Sequence, residues 1–214
     1  MEATGIKLHT LMLSTAAVLL VELTAKVTWF EETSSYLVSL AIVRLVEIIL
    51  LSVILFKQGP GPAALGLDRP AIGRGLLRGL LWSLGFGGLV LAGWLVFFLL
   101  GINPFNLLHV QLPERQRDLI LFCIVGGTIS PVAEEIFFRG ILYGFLRRWG
   151  IVTALSVSTL IFVLIHPLGR TVPLTQAVGG VLFALSYEIE KSLMTPIVIH
   201  ALGNLAIFVI GIIR

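Results

Sequence analysis

Charge is scarce in this chain. Of its 214 residues, 13% are Asp, Glu, Lys or Arg, about half the share of an ordinary soluble domain. With 57% hydrophobic residues and a mean hydropathy of +1.02, the chain cannot cover a water-facing surface, which excludes a soluble globular domain. Cysteine is nearly absent: Cys123 stands alone, so no internal disulfide and no cysteine metal cluster can form. Aspartate occurs only at 68 and 118, without the Gly-x-Gly-Asp of an aspartyl pair. There is no Gly-x-Ser-x-Gly for a serine nucleophile, no His-Glu-x-x-His zinc helix and no glycine-rich nucleotide loop. No internal repeat and no basic run stand out. The net charge of +3 is therefore not a nucleic-acid footprint, since the cations sit at the ends of apolar segments.

What remains is long apolar runs, too continuous for barrel strands that alternate over about ten residues. They predict an all-α, polytopic transmembrane helical bundle without a separate soluble domain. Spans are expected at about 10–30, 36–56, 72–101, 116–148, 151–166, 173–189 and 192–213, seven in all. An eighth would reverse the side of the C-terminus. The first run continues to Trp29-Phe30, an interface anchor without a convincing cleavage site before it, and reads as a retained span. Glu22 and Lys26, four apart, and Arg44 and Glu47, three apart, are spaced to neutralise each other within helices. Arg74 and Arg78 open the third span as a basic amphipathic stretch at the interface. Gly75 and Gly79 form a small-xxx-small pair for close helix packing. The 33-residue fourth segment is too long for one ordinary span. Gly126-Gly127 and Pro131 predict a break there, with a helix restarting at Pro131 behind Ser130 as its cap. Eight cations (Lys7, Lys57, Arg69, Arg74, Arg78, Arg147, Arg148, Lys191) against four (Arg115, Arg117, Arg170, Arg214) favour a cytoplasmic N-terminus.

The costly residues lie in Ser130-Pro-Val-Ala-Glu-Glu-Ile-Phe-Phe-Arg139-Gly140. A charge at bilayer depth costs roughly 2.5–3.5 kcal/mol even on lenient scales, so an intramembrane ionisable residue is read first as functional. Glu135 and Arg139, four apart, pair on one face. Glu134 is left the less compensated carboxylate. At a restarted helix its anion would be favoured by the N-terminal dipole and opposed by loss of water, a balance suited to a general base. His166 ends the fifth span because Pro167 turns it out of the helix, with Phe162 one turn earlier. His200 and Asn204 share a face of the last span. His9 and His109 receive no role.

Two chemistries fit these groups. In one, Glu134 and His166 deprotonate a water that attacks a peptide carbonyl, while His200 and Asn204 donate to the oxyanion. In the other, Glu134, His166 and His200 bind zinc, which activates the water. A transporter lined by polar groups, or a non-catalytic scaffold of the same fold, would carry similar residues for another purpose.

Glu134-Glu135-x-x-x-Arg139, Phe162-x-x-x-His166 and His200-x-x-x-Asn204 resemble, in order and spacing, the three motifs of the CAAX-protease and bacteriocin-processing (Abi) family of intramembrane endopeptidases. The likeness covers residues 115–214, whereas 1–114 carry no family signature. It implies a glutamate-dependent protease, with Glu134 and His166 as the water-activating pair and His200 with Asn204 as the oxyanion site. Glu135, Arg139 and Phe162 would be positioning residues. Family members have also been described as metalloproteases, so zinc is the implied alternative cofactor. The expected partners are the lipid bilayer and a membrane-embedded or lipid-anchored peptide (a leader, a prenylated tail or a C-terminal sorting tail), with no nucleic acid. The expected location is a bacterial inner membrane.

Overall fold

Apolar side chains alone do not make a helix; the absence of water around them does. A backbone in lipid must satisfy its own N–H and C=O groups, and a helix does so within one segment. The computed structural model describes residues 5–27, 33–107, 110–166 and 173–213, and all their regular structure is helical. The anchor expected at Trp29-Phe30, and also His109, Pro167, Arg170 and Arg214, lie outside the described residues.

Seven helices follow the expected spans: α1 (Leu8–Val27), α2 (Thr33–Gln58), α3 (Arg69–Leu99), α4 (Gln116–Trp149), α5 (Ile151–Ile165), α6 (Leu174–Glu190) and α7 (Met194–Ile213). Short 3₁₀ turns at Pro62–Leu65 and Pro104–Leu107 flank α3. Among the described residues, five stretches are long and apolar enough to cross a membrane: Leu8–Lys26, Ser35–Gln58, Pro62–Leu99, Gln116–Trp149 and Met194–Ile213. At 1.5 Å per residue, α5 reaches only about 22 Å, short of a hydrocarbon core of about 30 Å. The bundle turns leucines outward, among them Leu84 at 73% and Leu91 at 67% exposure, as a lipid-facing wall requires.

α4 is the centre, packing against α1, α2, α5, α6 and α7. It is one continuous helix, which corrects the expected break. Val125–Ile129 and Ile136–Tyr143 are π-helical, and Ser130–Glu135 between them is α-helical. Ser130 is helical itself (φ −61°, ψ −47°) and caps nothing with its side chain. The wider turn absorbs Pro131: an i→i+5 ladder makes room where an α-helix would clash and end. No helix N-terminus opens near Glu134, so the dipole expected to favour its anion is not there.

Gly75 and Gly79 do set a close crossing, of α3 with α7. A β-carbon on Gly79 would stand 2.6 Å from Val198 Cβ, and one on Gly75 would collide with Ser192 Oγ. The loop ahead of α7 is pinned at the same end. Leu193 N–H donates to Leu65 O (3.0 Å) and Ser192 Oγ lies 3.1 Å from Gly66 O. Gly66 itself is left-handed (φ 68°), and a side chain there would run into the Lys191 carbonyl. Arg78 stands in α3 and meets Glu190 of α6 at 3.5 Å. Arg44 does pair with Glu47 (2.6 Å), but the ion pair Glu22 makes is with Arg44, from α1 at 2.8 Å, and not the one expected with Lys26.

Candidate active site

The two glutamates of α4 diverge, as neighbours about 100° apart on a helix must. Glu135 points into the protein and is wholly buried. Its Oε1 accepts from Arg139 Nη1 (2.9 Å) and from His200 Nδ1 (2.8 Å). Arg139, equally buried, donates from Nη2 to the Gly180 carbonyl of α6 (3.2 Å). Its guanidinium lies over the rings of Phe162 (4.6 Å) and Phe183 (5.1 Å), which favours a desolvated cation. The predicted Glu135–Arg139 pair is thus a strut joining α4 to α6 and α7. Gly180 and Phe183 were not legible as part of it: α6 carries no motif, and a backbone carbonyl leaves no mark on a sequence.

Glu134 faces the other way. Its Oε2 is buried without a hydrogen-bond partner in the protein, and lies 3.9 Å from both His166 Nε2 and His200 Nε2. The three residues therefore meet at one oxygen, although they come from α4, the end of α5 and α7. Each histidine is held from behind. His166 leaves the helix at φ −80°, ψ 147°, and its Nδ1 sits 2.6 Å from the Phe162 carbonyl. A carbonyl only accepts, so Nδ1 bears a proton, and whenever the ring is neutral its Nε2 presents a lone pair toward Glu134. His200 is stacked on Phe183 (4.4 Å, 19°). Its Nδ1–H is directed at Glu135, so Nε2 carries hydrogen only when the ring is cationic.

Phe162 serves the site twice. Its carbonyl orients His166, and its ring contacts His166 (4.5 Å) and Phe138 (5.1 Å). Asn204 lies one turn beyond His200 as predicted, but its Nδ2 donates to Gly126 O in the first π segment (2.8 Å). Among the described residues no group of three or more His, Cys, Asp or Glu side chains is placed to hold a metal ion. Glu134, His166 and His200 converge at a wider spacing, 3.9 Å from the Glu134 oxygen to each Nε2, although two imidazoles and a carboxylate are donors of the kind zinc takes.

Residues 116–206 match the family model described as type II CAAX prenyl endopeptidase Rce1-like. The membrane-embedded CAAX protease MroQ of Staphylococcus aureus (strain USA300) is 35% identical over 95 residues, covering 41% of this chain and 38% of that protein. The protein named Putative membrane peptidase YdiL, of Bacillus subtilis (strain 168), is 28% identical over 115 residues, 53% of this chain and 47% of that protein. The chain thus spans less than half the length of these curated relatives. No solved structure matches it significantly. The matched stretch begins with α4 and ends in α7, taking in all three motifs and every side chain that meets at Glu134. Over that stretch the chain is similar to the type II CAAX prenyl endopeptidase Rce1-like family.

Proposed function

We propose that this protein is an intramembrane endopeptidase in which Glu134 and His166 activate the attacking water. One observation carries the reading: two lone-pair acceptors, Glu134 Oε2 and His166 Nε2, face each other at 3.9 Å. That is too far for a direct hydrogen bond, and a water admitted between them would donate a hydrogen to each. Such a water keeps its own lone pairs free for a carbonyl carbon. Glu134 takes the proton as the C–O bond forms, and returns it to the amine as the C–N bond breaks. The developing oxyanion is met by His200 Nε2–H in the imidazolium form and by the Asn204 amide. Glu135, shared by Arg139 and His200, holds the ring in place.

The substrate would be a membrane-associated peptide tail, such as a prenylated C-terminus, in keeping with the CAAX prenyl endopeptidase of the family description. The setting would be a bacterial inner membrane with the N-terminus cytoplasmic. The zinc-dependent alternative would draw on the same Glu134, His166 and His200.

The test uses purified protein in detergent and an internally quenched peptide ending in a prenylated Cys-aliphatic-aliphatic-X tail. Wild type should cleave it, and Glu134→Gln should lose about 10²–10⁴-fold in rate, the usual share of a general base. Cleavage at the wild-type rate by Glu134→Gln would remove the base assignment. Loss of activity on chelation, restored by added zinc, would replace it with the metal mechanism.

A further inference from the structure

Pro131 leaves one carbonyl of α4 without a donor, and the residue that supplies one is Asn204. In the π turn Val125–Ile129 the N–H of Ser130 goes to Val125 O. The next N–H along that ladder would serve Gly126 O, but residue 131 is proline and has none. Neither of the two backbone groups that could close on Gly126 O does so. Its acceptor is filled instead from α7, by Asn204 Nδ2 at 2.8 Å. A carbonyl accepts only, so this contact also decides which end of the carboxamide is which. The nitrogen is held at Gly126 with its second hydrogen uncommitted by that bond, and Oδ1 faces away. The approach is close because the segment is built from glycine. A β-carbon on Gly127 would stand 2.5 Å from Leu205 Cδ2, and one on Gly126 would stand 3.2 Å from Phe208 Cζ.

We propose that Pro131 and Gly126 are positioning residues for the oxyanion donor: Pro131 withholds the hydrogen bond that would satisfy Gly126 O, and the freed carbonyl orients the Asn204 amide. This rests on the peptidase reading above. It explains why a proline is tolerated four residues from the end of the Ser130–Glu135 segment, where a regular helix would be stiffer without it. Alanine at 131 supplies an N–H that can close the ladder onto Gly126 O and compete with Asn204 for it. The carboxamide then loses its fixed orientation.

Two measurements test this, both on the full chain in detergent with the quenched prenylated peptide as probe. In the first, Pro131→Ala should lower kcat by about tenfold or more, up to the 10²–10³-fold expected for loss of a whole oxyanion donor, with KM unchanged. Its thermal midpoint should hold or rise, since the helix gains a backbone hydrogen bond. The same change made in an Asn204→Ala background should slow the enzyme no further. A kcat within threefold of wild type, or Pro131→Ala and Asn204→Ala effects that multiply, would overturn the proposal. The second measurement does not depend on how the variant folds. In wild type labelled with ¹⁵N-asparagine, the bonded side-chain hydrogen of Asn204 should exchange with deuterium at least about tenfold more slowly than those of Asn103 and Asn106, because a hydrogen bond must open first. Equal rates would also overturn it. If Glu134→Gln is inactive while Pro131→Ala is normal, the positioning claim alone fails; if Glu134→Gln cleaves normally, the reading beneath it fails.

Discussion

Glutamine in place of Glu135 and of Glu134 should give opposite phenotypes, although the residues are adjacent and the substitution is the same. Glu135 is the counter-charge of Arg139, and both side chains are essentially inaccessible (0% and 1%). Glu135→Gln keeps an oxygen for Arg139 and His200 but leaves a buried guanidinium with no ionic partner. Breaking one side of a buried pair costs about 3–5 kcal/mol. The Phe162 and Phe183 rings and the Gly180 carbonyl remain to stabilise the cation, which favours the lower end. Against that, Glu135 Oε2 has no donor facing it, so the new amide nitrogen gains no acceptor there. At roughly 2–4 °C per kcal/mol for a chain of this length, the midpoint should fall by at least about 6 °C. Glu134 Oε2 has no hydrogen bond to lose, so Glu134→Gln should stay within about 1 kcal/mol of wild type while cleavage disappears. Thermal unfolding followed by tryptophan fluorescence in one detergent, run beside the peptide assay, separates the two. Equal midpoints for both variants would refute the view of Glu135 as strut and Glu134 as reagent.

Gly79→Ala should cost about 1–3 kcal/mol by overpacking α3 against Val198, seen as a lower midpoint; an unchanged value would mean that the crossing can widen freely. Arg44→Met removes the cation shared by Glu22 and Glu47. With Glu47 only 3% exposed, the loss should be about 3–5 kcal/mol, and Arg44→Met/Glu47→Leu should recover part of it. No recovery would mean that Arg44 acts through something other than its buried carboxylate.

Much of this arrangement was legible because it is local. Glu135 and Arg139 are one helical turn apart, and so are His200 and Asn204, Phe162 and His166, and Gly75 and Gly79; helical repeat alone puts each pair on one face. Local reasoning also misled where a neighbour from another helix intervened. Spacing pairs Glu22 with Lys26, yet Arg44 reaches it from α2. Pro131 behind Ser130 looked like a helix start, since proline favours a first turn, but α4 widens into a π turn and continues.

Hydropathy and the helical repeat are properties of short stretches, so the chain by itself determined that it is a helical membrane bundle and which polar residues share a face. How far each helix slides and turns against the next depends on packing between segments remote in sequence. Tertiary structure alone therefore decided that His166 and His200 arrive at the same oxygen of Glu134, that Gly180 and Phe183 complete the Arg139 seat, and that Asn204 fills the bond Pro131 cannot make. No single stretch of sequence encodes the register between two helices; it follows from the side chains that meet there.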